Sequence, residues 1–211
     1  MHRYRLPDHV EVYGAEIINA AATVRDESSD TLDRDLVARV VSSGDTRAFG
    51  ELVQRHQSHV RNFLRKLCRG NPDYADDLAQ DCFLHAWDKL RSYSGRGSFI
   101  GWLLKIAYTT FLQSKRKSNR YAQVLEQAGY NADASGQAFD FMSDEAPDLD
   151  KLLAVLTVEE QAIFIMSFAC GLSHREISDA TDQPVGTIKS VIFRGKEKIR
   201  ASFGIKDHQY G

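Results

Sequence analysis

The chain has 211 residues, of which 43% are hydrophobic and 27% charged, so it can form one soluble domain or two small ones. Its 4 prolines and 14 glycines follow no period and its aliphatic content is ample, which excludes collagenous, low-complexity and wholly disordered classes. No run of about 18 apolar residues occurs, and no apolar stretch follows the charged start. We therefore expect neither membrane insertion nor secretion, and a cytoplasmic location.

Charged residues are sorted into blocks that the formal net charge of −2 averages out. Residues 73–88 contain five aspartates and no Lys or Arg, whereas residues 96–120 contain six basic residues and no acid. Residues 121–150 contain seven acids and no base, and residues 189–200 contain five bases and one acid. Because charged partners respond to the local field, the pattern predicts two positive surfaces separated by a negative connector.

Helical periodicity dominates the first half of the chain. Apolar residues recur three and four positions apart and no stretch shows sustained alternation, which predicts an all-α fold. One helix is predicted from about residue 46 to a stop signal at residues 70–72, and a second from there to about residue 90. A long third helix is predicted over 99–120. The inward-facing positions of the second helix are predicted to be Leu78, Phe83, Ala86, Trp87 and Leu90.

Shorter helices follow residue 147. The pattern Thr-x-x-Glu at 157–160 and the pattern Ser-x-x-Glu at 173–176 are capping boxes, which predict two helix starts. Pro184 suits the first turn of a further helix. An apolar stripe runs along that helix at Val185, Ile188, Ile192, Gly195, Ile199 and Phe203. A short helix, a tight turn and a longer helix with a basic outer face predict a helix-turn-helix.

Three motifs in this chain resemble those of bacterial extracytoplasmic-function sigma factors of the sigma-70 family. Pro-Val-Gly-Thr-Ile-Lys-Ser at 184–190 resembles the family's domain that binds the minus-thirty-five element. The acidic and aromatic pattern of residues 73–87 is similar to its core-polymerase-binding helix, and residues 97–107 resemble the segment that follows. The motifs occur in family order, and the resemblance covers roughly residues 33–205.

The resemblance implies a polymerase contact and a contact with the minus-ten element. The helix that docks on the clamp helices of the largest polymerase subunit would use Asp76, Asp77, Gln80, Asp81, Phe83, Leu84 and Trp87. A loop would capture a base flipped out of the minus-ten element through Arg91, Ser92, Tyr93, Ser94, Gly95, Arg96, Gly97 and Ser98. The basic helix beyond it would follow the DNA backbone through Lys105, Lys115, Arg116 and Lys117. We expect Phe99 and Trp102 to be core residues.

The last helix is implied to enter the major groove of the minus-thirty-five element. The residues assigned to this contact are Arg175, Gly186, Thr187, Lys189, Ser190, Val191, Arg194 and Lys198. Small residues there allow a close approach of the backbone, and Lys and Arg can reach phosphates or guanine edges.

The function implied by the resemblance is that of an alternative sigma factor. Such a protein binds core RNA polymerase, recognises and melts the minus-ten element and reads the minus-thirty-five element, with no enzymatic chemistry and no cofactor. Its expected partners are core RNA polymerase, promoter DNA and a regulatory anti-sigma factor, in the bacterial cytoplasm.

The predicted fold class is all-α, with a sigma2-like helical bundle and a sigma4-like helix-turn-helix joined by a flexible acidic linker. The bundle is assigned to residues 33–120, the linker to 121–147 and the helix-turn-helix domain to 148–205. Residues 1–32 are predicted to form an N-terminal extension without a recognised counterpart in the family, open to disorder or to a role as a partner-binding arm. Residues 206–211 form a tail.

Two other functions remain open from the sequence alone. A stand-alone helix-turn-helix regulator would bind DNA without polymerase. A metal-dependent helical-bundle enzyme could combine His56 and His59 with the nearby carboxylates of Asp76, Asp77 and Asp81, although this spacing is not a recognised ligand pattern. The cysteines at 68, 82 and 170 lack C-x-x-C spacing, which predicts reduced thiols on apolar helix faces and no zinc site.

Overall fold

The computed structural model describes residues 27–68, 71–127 and 148–203. All regular secondary structure in these ranges is helical, which confirms the all-α prediction. The described residues belong to two separate compact units, one within 27–127 and one within 148–203. None of the helices in these ranges has an apolar stretch long enough to cross a membrane. The predicted tail and most of the predicted N-terminal extension and linker lie outside the described residues.

The first unit contains four α-helices and one short 3-10 turn. Its elements are α1 (Glu27–Ser43), α2 (Thr46–Cys68), α3 (Pro72–Lys89), the turn Leu90–Ser92 and α4 (Phe99–Gln127). Asn71 caps α3 by accepting a hydrogen bond from the Tyr74 backbone, and a proline occupies the first turn.

The core of this unit lies among α2, α3 and α4. Helix α2 buries residues at helical spacing, including Leu52, Val60 and Phe63. Helix α3 buries small side chains, which allow its neighbours to approach closely. These small residues are Ala75, Ala79, Cys82 and Ala86, with Leu78 on the same face.

Helix α4 runs seven residues beyond the predicted end at residue 120. No proline occurs within 99–127 and no glycine within 102–127, so nothing in the sequence interrupts the helix. The first seven residues of the predicted linker are therefore helical. At the other end of the unit, α1 begins at Glu27, which places the last six residues of the predicted N-terminal extension in a helix.

The second unit also contains four α-helices. They are α5 (Asp148–Ala154), α6 (Val158–Phe164), α7 (His174–Thr181) and α8 (Val185–Phe203), with a π-helical turn at Ile165–Ala169. Both predicted capping boxes are confirmed: the Thr157 and Ser173 hydroxyls accept from backbone N–H groups, and Glu160 and Glu176 bond back to the cap residues.

Helices α7 and α8 form the predicted helix-turn-helix. Asp182 adopts the left-handed conformation, with φ of 54°, and ends α7. The Ser178 hydroxyl donates to the Gln183 carbonyl across the turn at 2.5 Å. The Pro184 carbonyl then accepts the first backbone bonds of α8. The inner face of α8 is buried at Ile188, Ile192, Gly195 and Ile199.

Candidate nucleic-acid and protein-binding surfaces

An apolar groove of about 520 Å³ lies between α2 and α3. In this α2–α3 groove, the rings of Phe49 and Trp87 meet edge to face with centroids 5.0 Å apart. Leu84 is 65% exposed at the groove and Trp87 is 39% exposed. Phe83 is half-buried on the same face. Trp87 and Phe83 were predicted to face inward. They lie instead on the face of α3 that lines the groove, because Ala79, Cys82 and Ala86 occupy the core-facing positions.

The acidic side chains of α3 lie beside the groove. Asp77, Gln80 and Asp81 are exposed. Asp76 instead forms an ion pair with Arg65 of α2, with an N–O distance of 2.8 Å. Hydrogen bonds from the Arg65 guanidinium lower the pKa of the Asp76 carboxyl. Of the four polar residues predicted to bind polymerase, three are therefore open and one helps to hold α3 on α2.

The loop after the 3-10 turn rests on an aromatic cluster made of His56, Tyr93, Phe99 and Trp102. The ring centroid of Tyr93 lies 5.5 Å from that of Phe99 and 5.6 Å from that of Trp102. The Tyr93 hydroxyl donates to the Gly97 carbonyl at 3.2 Å. Burial raises the pKa of the Tyr93 hydroxyl. Phe99 is buried as predicted, and Trp102 is half-buried at the edge of the core.

The predicted minus-ten loop residues fall into two groups. Arg91, Ser94 and Arg96 are exposed and can reach a ligand. Ser98 is only 3% exposed, and its hydroxyl accepts from the Gly101 backbone at the start of α4, so it caps the helix and offers no group to solvent. The Ser92 hydroxyl donates to the Lys89 carbonyl at 2.6 Å. Gly95 and Gly97 both take positive φ values, of 72° and 73°, which only glycine adopts readily.

The basic end of α4 is exposed on all sides. Lys115, Arg116, Lys117 and Arg120 all project into solvent, and Lys115 lies 5.5 Å from the ring centroid of Phe111. Lys105 is half-buried nearer the core. These bases lie on one helix, as the sequence predicted. Lys105, however, lies about three turns before the exposed bases at 115–120.

The outer face of α8 carries most of the residues predicted to bind the minus-thirty-five element. Six of them, together with Arg175 of α7, are exposed: Gly186, Thr187, Lys189, Ser190, Arg194 and Lys198. Val191 is half-buried. Phe193 is 67% exposed within a depression that Lys189, Ser190 and Arg194 also line. Sequence reasoning missed Phe193, although its position off the apolar stripe was the available signal.

Lys198 differs from the other predicted DNA residues because it is already paired. Its ammonium donates to both carboxylate oxygens of Glu160, at 2.6 and 2.9 Å. Glu160 is the second half of the α6 capping box. Burial alone would raise the pKa of the Glu160 carboxyl, but the bonds from Lys198 and Thr157 lower it. Lys198 therefore fastens α8 to the start of α6.

Sequence reasoning also missed a polar cluster that joins α1 to α2. The buried carboxylate of Asp33 accepts from Arg55 Nε at 2.8 Å and lies 2.8 Å from His56 Nε2. His56 is thus held by a carboxylate of α1, and its ring packs against Phe99 with centroids 5.2 Å apart. Among the described residues, no group of three or more His, Cys, Asp or Glu is arranged to hold a metal ion. The three cysteines are free thiols, two of them buried.

These two helical units, one of them a helix-turn-helix with a basic outer face, define a DNA-binding protein. The family model Sigma-70 region 2 matches residues 52–121, and the model Sigma-70, region 4 matches residues 147–199. The ECF RNA polymerase sigma-E factor of Haemophilus influenzae is 30% identical over 179 residues, covering 79% of this chain and 93% of that protein. The sigma-E factor of Escherichia coli K12 is 30% identical over 186 residues, covering 82% of this chain and 94% of that protein. The chain belongs to the extracytoplasmic-function group of the sigma-70 family.

Solved structures show the same fold. The sigma factor RpoE of Bartonella quintana, in complex with the anti-sigma factor NepR, is similar with a TM-score of 0.61 and 23% identity, over 75% of this chain and 98% of that one. CnrH, in complex with the cytosolic domain of CnrY, is similar with a TM-score of 0.59 and 24% identity, over 83% and 99%. Members of this family are transcription initiation factors.

Proposed function

We propose that this sigma factor binds core RNA polymerase through α3 and the α2–α3 groove, opens the minus-ten element with its first unit and reads the minus-thirty-five element with its second. The proposal rests on one observation, the different chemical character of the exposed faces of α3 and α8. Exposed apolar and acidic side chains share one face of α3, whereas exposed bases share the outer face of α8. The first suits a protein partner and the second suits DNA.

The polymerase contact is supported by the exposed Leu84 and Trp87. An exposed leucine next to an aromatic groove costs free energy in water, and covering it with a partner removes that cost. Gln80 lines the same groove, and the exposed Asp77 and Asp81 lie one helical turn before Gln80 and Leu84, where they can supply polar contacts at its rim. We therefore assign this face to the clamp helices of the largest polymerase subunit.

The minus-ten contact is assigned to the loop on the aromatic cluster and to the basic end of α4. Extruding a base from its stack costs a few kcal/mol, about what stacking on aromatic side chains can offset. Tyr93 offers an aromatic edge there, and Arg91, Ser94 and Arg96 offer polar groups. Lys115, Arg116 and Lys117 supply the charge that follows the DNA backbone.

The minus-thirty-five contact is assigned to the outer face of α8. Lys189 and Arg194 can donate to guanine edges or phosphates, and Gly186 and Thr187 allow the backbone to approach closely. Phe193 adds an exposed aromatic group that can contact thymine methyl groups. Lys198 is left out of this assignment because Glu160 holds it.

We propose boundaries close to those predicted from the sequence, with a first domain that begins with α1 at Glu27 and ends with α4, and a second at 148–205. The family implies control by an anti-sigma factor, as the structures of RpoE with NepR and CnrH with CnrY illustrate. No covalent chemistry is assigned to the chain. Acting with polymerase, it works in the bacterial cytoplasm.

The test is transcription in vitro with core polymerase from the source organism and genomic promoter fragments. Leu84→Glu and Asp77→Arg should weaken core binding at least about tenfold, since the first places an unpaired charge in an apolar contact and the second reverses a charge beside it. Leu32→Glu is the matched control, because Leu32 is also an exposed leucine of the first unit but lies outside the groove. It should bind core polymerase normally.

Arg194→Ala should keep core binding and lose promoter affinity by about 1–3 kcal/mol. Specific and tight promoter binding without core polymerase, together with no initiation when core is added, would instead identify a stand-alone regulator. Equal loss of core binding in Arg194→Ala and Asp77→Arg would contradict the assigned division of surfaces.

A further inference from the structure

Helix α1 is fastened to α2 by a buried ionic cluster. Asp33 is 2% exposed, and its carboxylate accepts from Arg55 and from His56, each at 2.8 Å. Arg55 also donates to the Ser29 hydroxyl at 2.7 Å, one turn earlier on α1. Burial would raise the pKa of Asp33, but the hydrogen bonds and positive charge of its partners lower it. These bonds fix which face of α1 packs against α2, namely the face that carries Asp33.

The same cluster connects α1 with the loop assigned to the minus-ten element. The His56 ring packs on Phe99, and Phe99 packs on Tyr93 with centroids 5.5 Å apart. Helix α1 also contacts the 3-10 turn Leu90–Ser92 and α4 directly. One residue beyond the anchored Asp33, Arg34 is exposed and its guanidinium acts electrostatically on the Tyr93 hydroxyl. Arg34 thus lies at the edge of the loop.

The electrostatic setting of Arg34 suits an anion. Arg91 on the 3-10 turn and Arg96 on the loop are also exposed, and α1 packs directly on that turn, so three exposed arginines belong to α1, the turn and the loop. Asp30, one turn before Arg34, and Asp33 also act on Tyr93 and are the opposing charges. A guanidinium carries five N–H donors in a planar fork, so it can bind a phosphate through two of them.

We propose that Arg34 binds a backbone phosphate of the strand whose base enters the minus-ten loop, which makes α1 part of the DNA-binding surface. This inference rests on the function proposed above. A base held in a pocket requires the phosphate backbone of its own nucleotide to be fixed nearby. A side chain on a second helix can bind that backbone from outside the loop. Helix α1 lies before residue 52, where the match to the region 2 model begins.

The experiment measures binding of full-length protein, assembled with core polymerase, to a fluorescent forked promoter DNA with a single-stranded minus-ten segment. Arg34→Gln should weaken binding about fivefold and flatten the log–log salt dependence by about 0.7, the value for one phosphate contact on single-stranded DNA. Arg34→Lys should restore most of the affinity. Arg39→Gln is the matched control, since it removes the same charge from the same helix at a side chain paired with Asp45.

Arg96→Gln on the loop separates this inference from the proposed function. If Arg96→Gln weakens binding while Arg34→Gln binds as tightly as the wild type, the role of Arg34 is overturned and the minus-ten assignment stands. Equal losses in Arg34→Gln and Arg39→Gln would also overturn it, because they indicate a general charge effect. If neither Arg96→Gln nor Arg34→Gln has an effect, the minus-ten assignment itself fails. Helical circular dichroism and core binding should be unchanged in all variants.

Discussion

Gly195 lies where α8 crosses α6, and its lack of a side chain is required there. A Cβ at this position would stand 2.4 Å from Phe164 Cε2, inside a packed core. We expect Gly195→Ala to lower the free energy of unfolding by about 1–3 kcal/mol, the usual range for overpacking. Gly186→Ala is the control on the same helix, since nothing lies within 4 Å of a Cβ there. It should be neutral or slightly stabilising in urea denaturation, and an equal loss in both variants would contradict the packing argument.

Asp33 predicts a pH-dependent contribution to stability. Its pKa is lowered in the folded state from the ordinary value of 3.8, so the stabilisation is complete above that value and is lost as the pH falls below it. Asp33→Asn should cost about 2 kcal/mol at pH 7, because it leaves Arg55 and His56 without a charged partner. The gap to the wild type should narrow in urea denaturation below about pH 4.

The control for this experiment is Asp35→Asn, which removes an exposed carboxylate from the same helix. It should change stability by no more than about 0.5 kcal/mol at any pH. A gap between wild type and Asp33→Asn that stayed constant down to pH 3 would show that the charge of Asp33 is not the source of its effect.

Residue types could be predicted from the sequence, but the partners of individual side chains could not. Ser98, Lys198 and Phe193 illustrate this limit. Ser98 was assigned to DNA but caps a helix, and Lys198 was assigned to DNA but is paired with Glu160, which is 38 positions away. Phe193 was passed over because its exposure depends on the rotation of α8 in the folded unit. Contacts between residues distant in sequence decide all three cases.

At the scale of elements, two basic residues one turn apart on α8 have different roles. Lys198 fastens the helix to α6, whereas Arg194 is exposed on the face assigned to DNA. Lys198→Ala should lower stability by about 0.5 kcal/mol, less at high salt because the pair is partly exposed, and should leave promoter affinity nearly unchanged. Arg194→Ala should instead lower promoter affinity and leave stability nearly unchanged. Thermal unfolding at two salt concentrations and promoter binding by the holoenzyme would separate them, and a large affinity loss in Lys198→Ala would contradict this division.

The starts of elements were predicted more accurately than their ends. Both capping boxes lie at the predicted positions because the hydrogen bonds involved are local. The end of α4 was placed seven residues early, because the glycines and the proline at 129, 136 and 147 indicated a linker, although no glycine or proline occurs within 121–127. Helix α6 passes into a π-helical turn at residues 165–169, for which the sequence offers no local signal.

At the scale of the whole molecule, each unit has its own core, so a local defect should remain in its unit. Asp33→Asn should speed amide exchange in α1 to α4, and Gly195→Ala should speed it in α5 to α8, with little change in the other unit. Peptide-level hydrogen exchange of the full chain would measure this. Faster exchange in both units from either variant would contradict independent cores.

The net charge of −2 is also a property of the whole molecule that its parts explain. Acidic side chains beside the α2–α3 groove and in the acidic stretch after residue 120 offset the bases of α4 and α8. A near-neutral total is therefore compatible with binding to both a protein and DNA. The sequence alone was enough to predict this separation, because it depends on charge order along the chain and not on distant contacts.

Helix α4 combines a buried first half with an exposed second half, and this has a consequence for helix cooperativity. An isolated helix of about 15 residues is marginal in water because its first turn is costly to nucleate. In α4 the buried turns from Phe99 to Phe111 already supply the nucleus, so each later residue only has to propagate it. The helical state of the basic segment is thus templated by the core, and the helix end near Gln127 is set by a balance between propagation and fraying. A polyanion bound to Lys115–Arg120 would move that balance toward propagation.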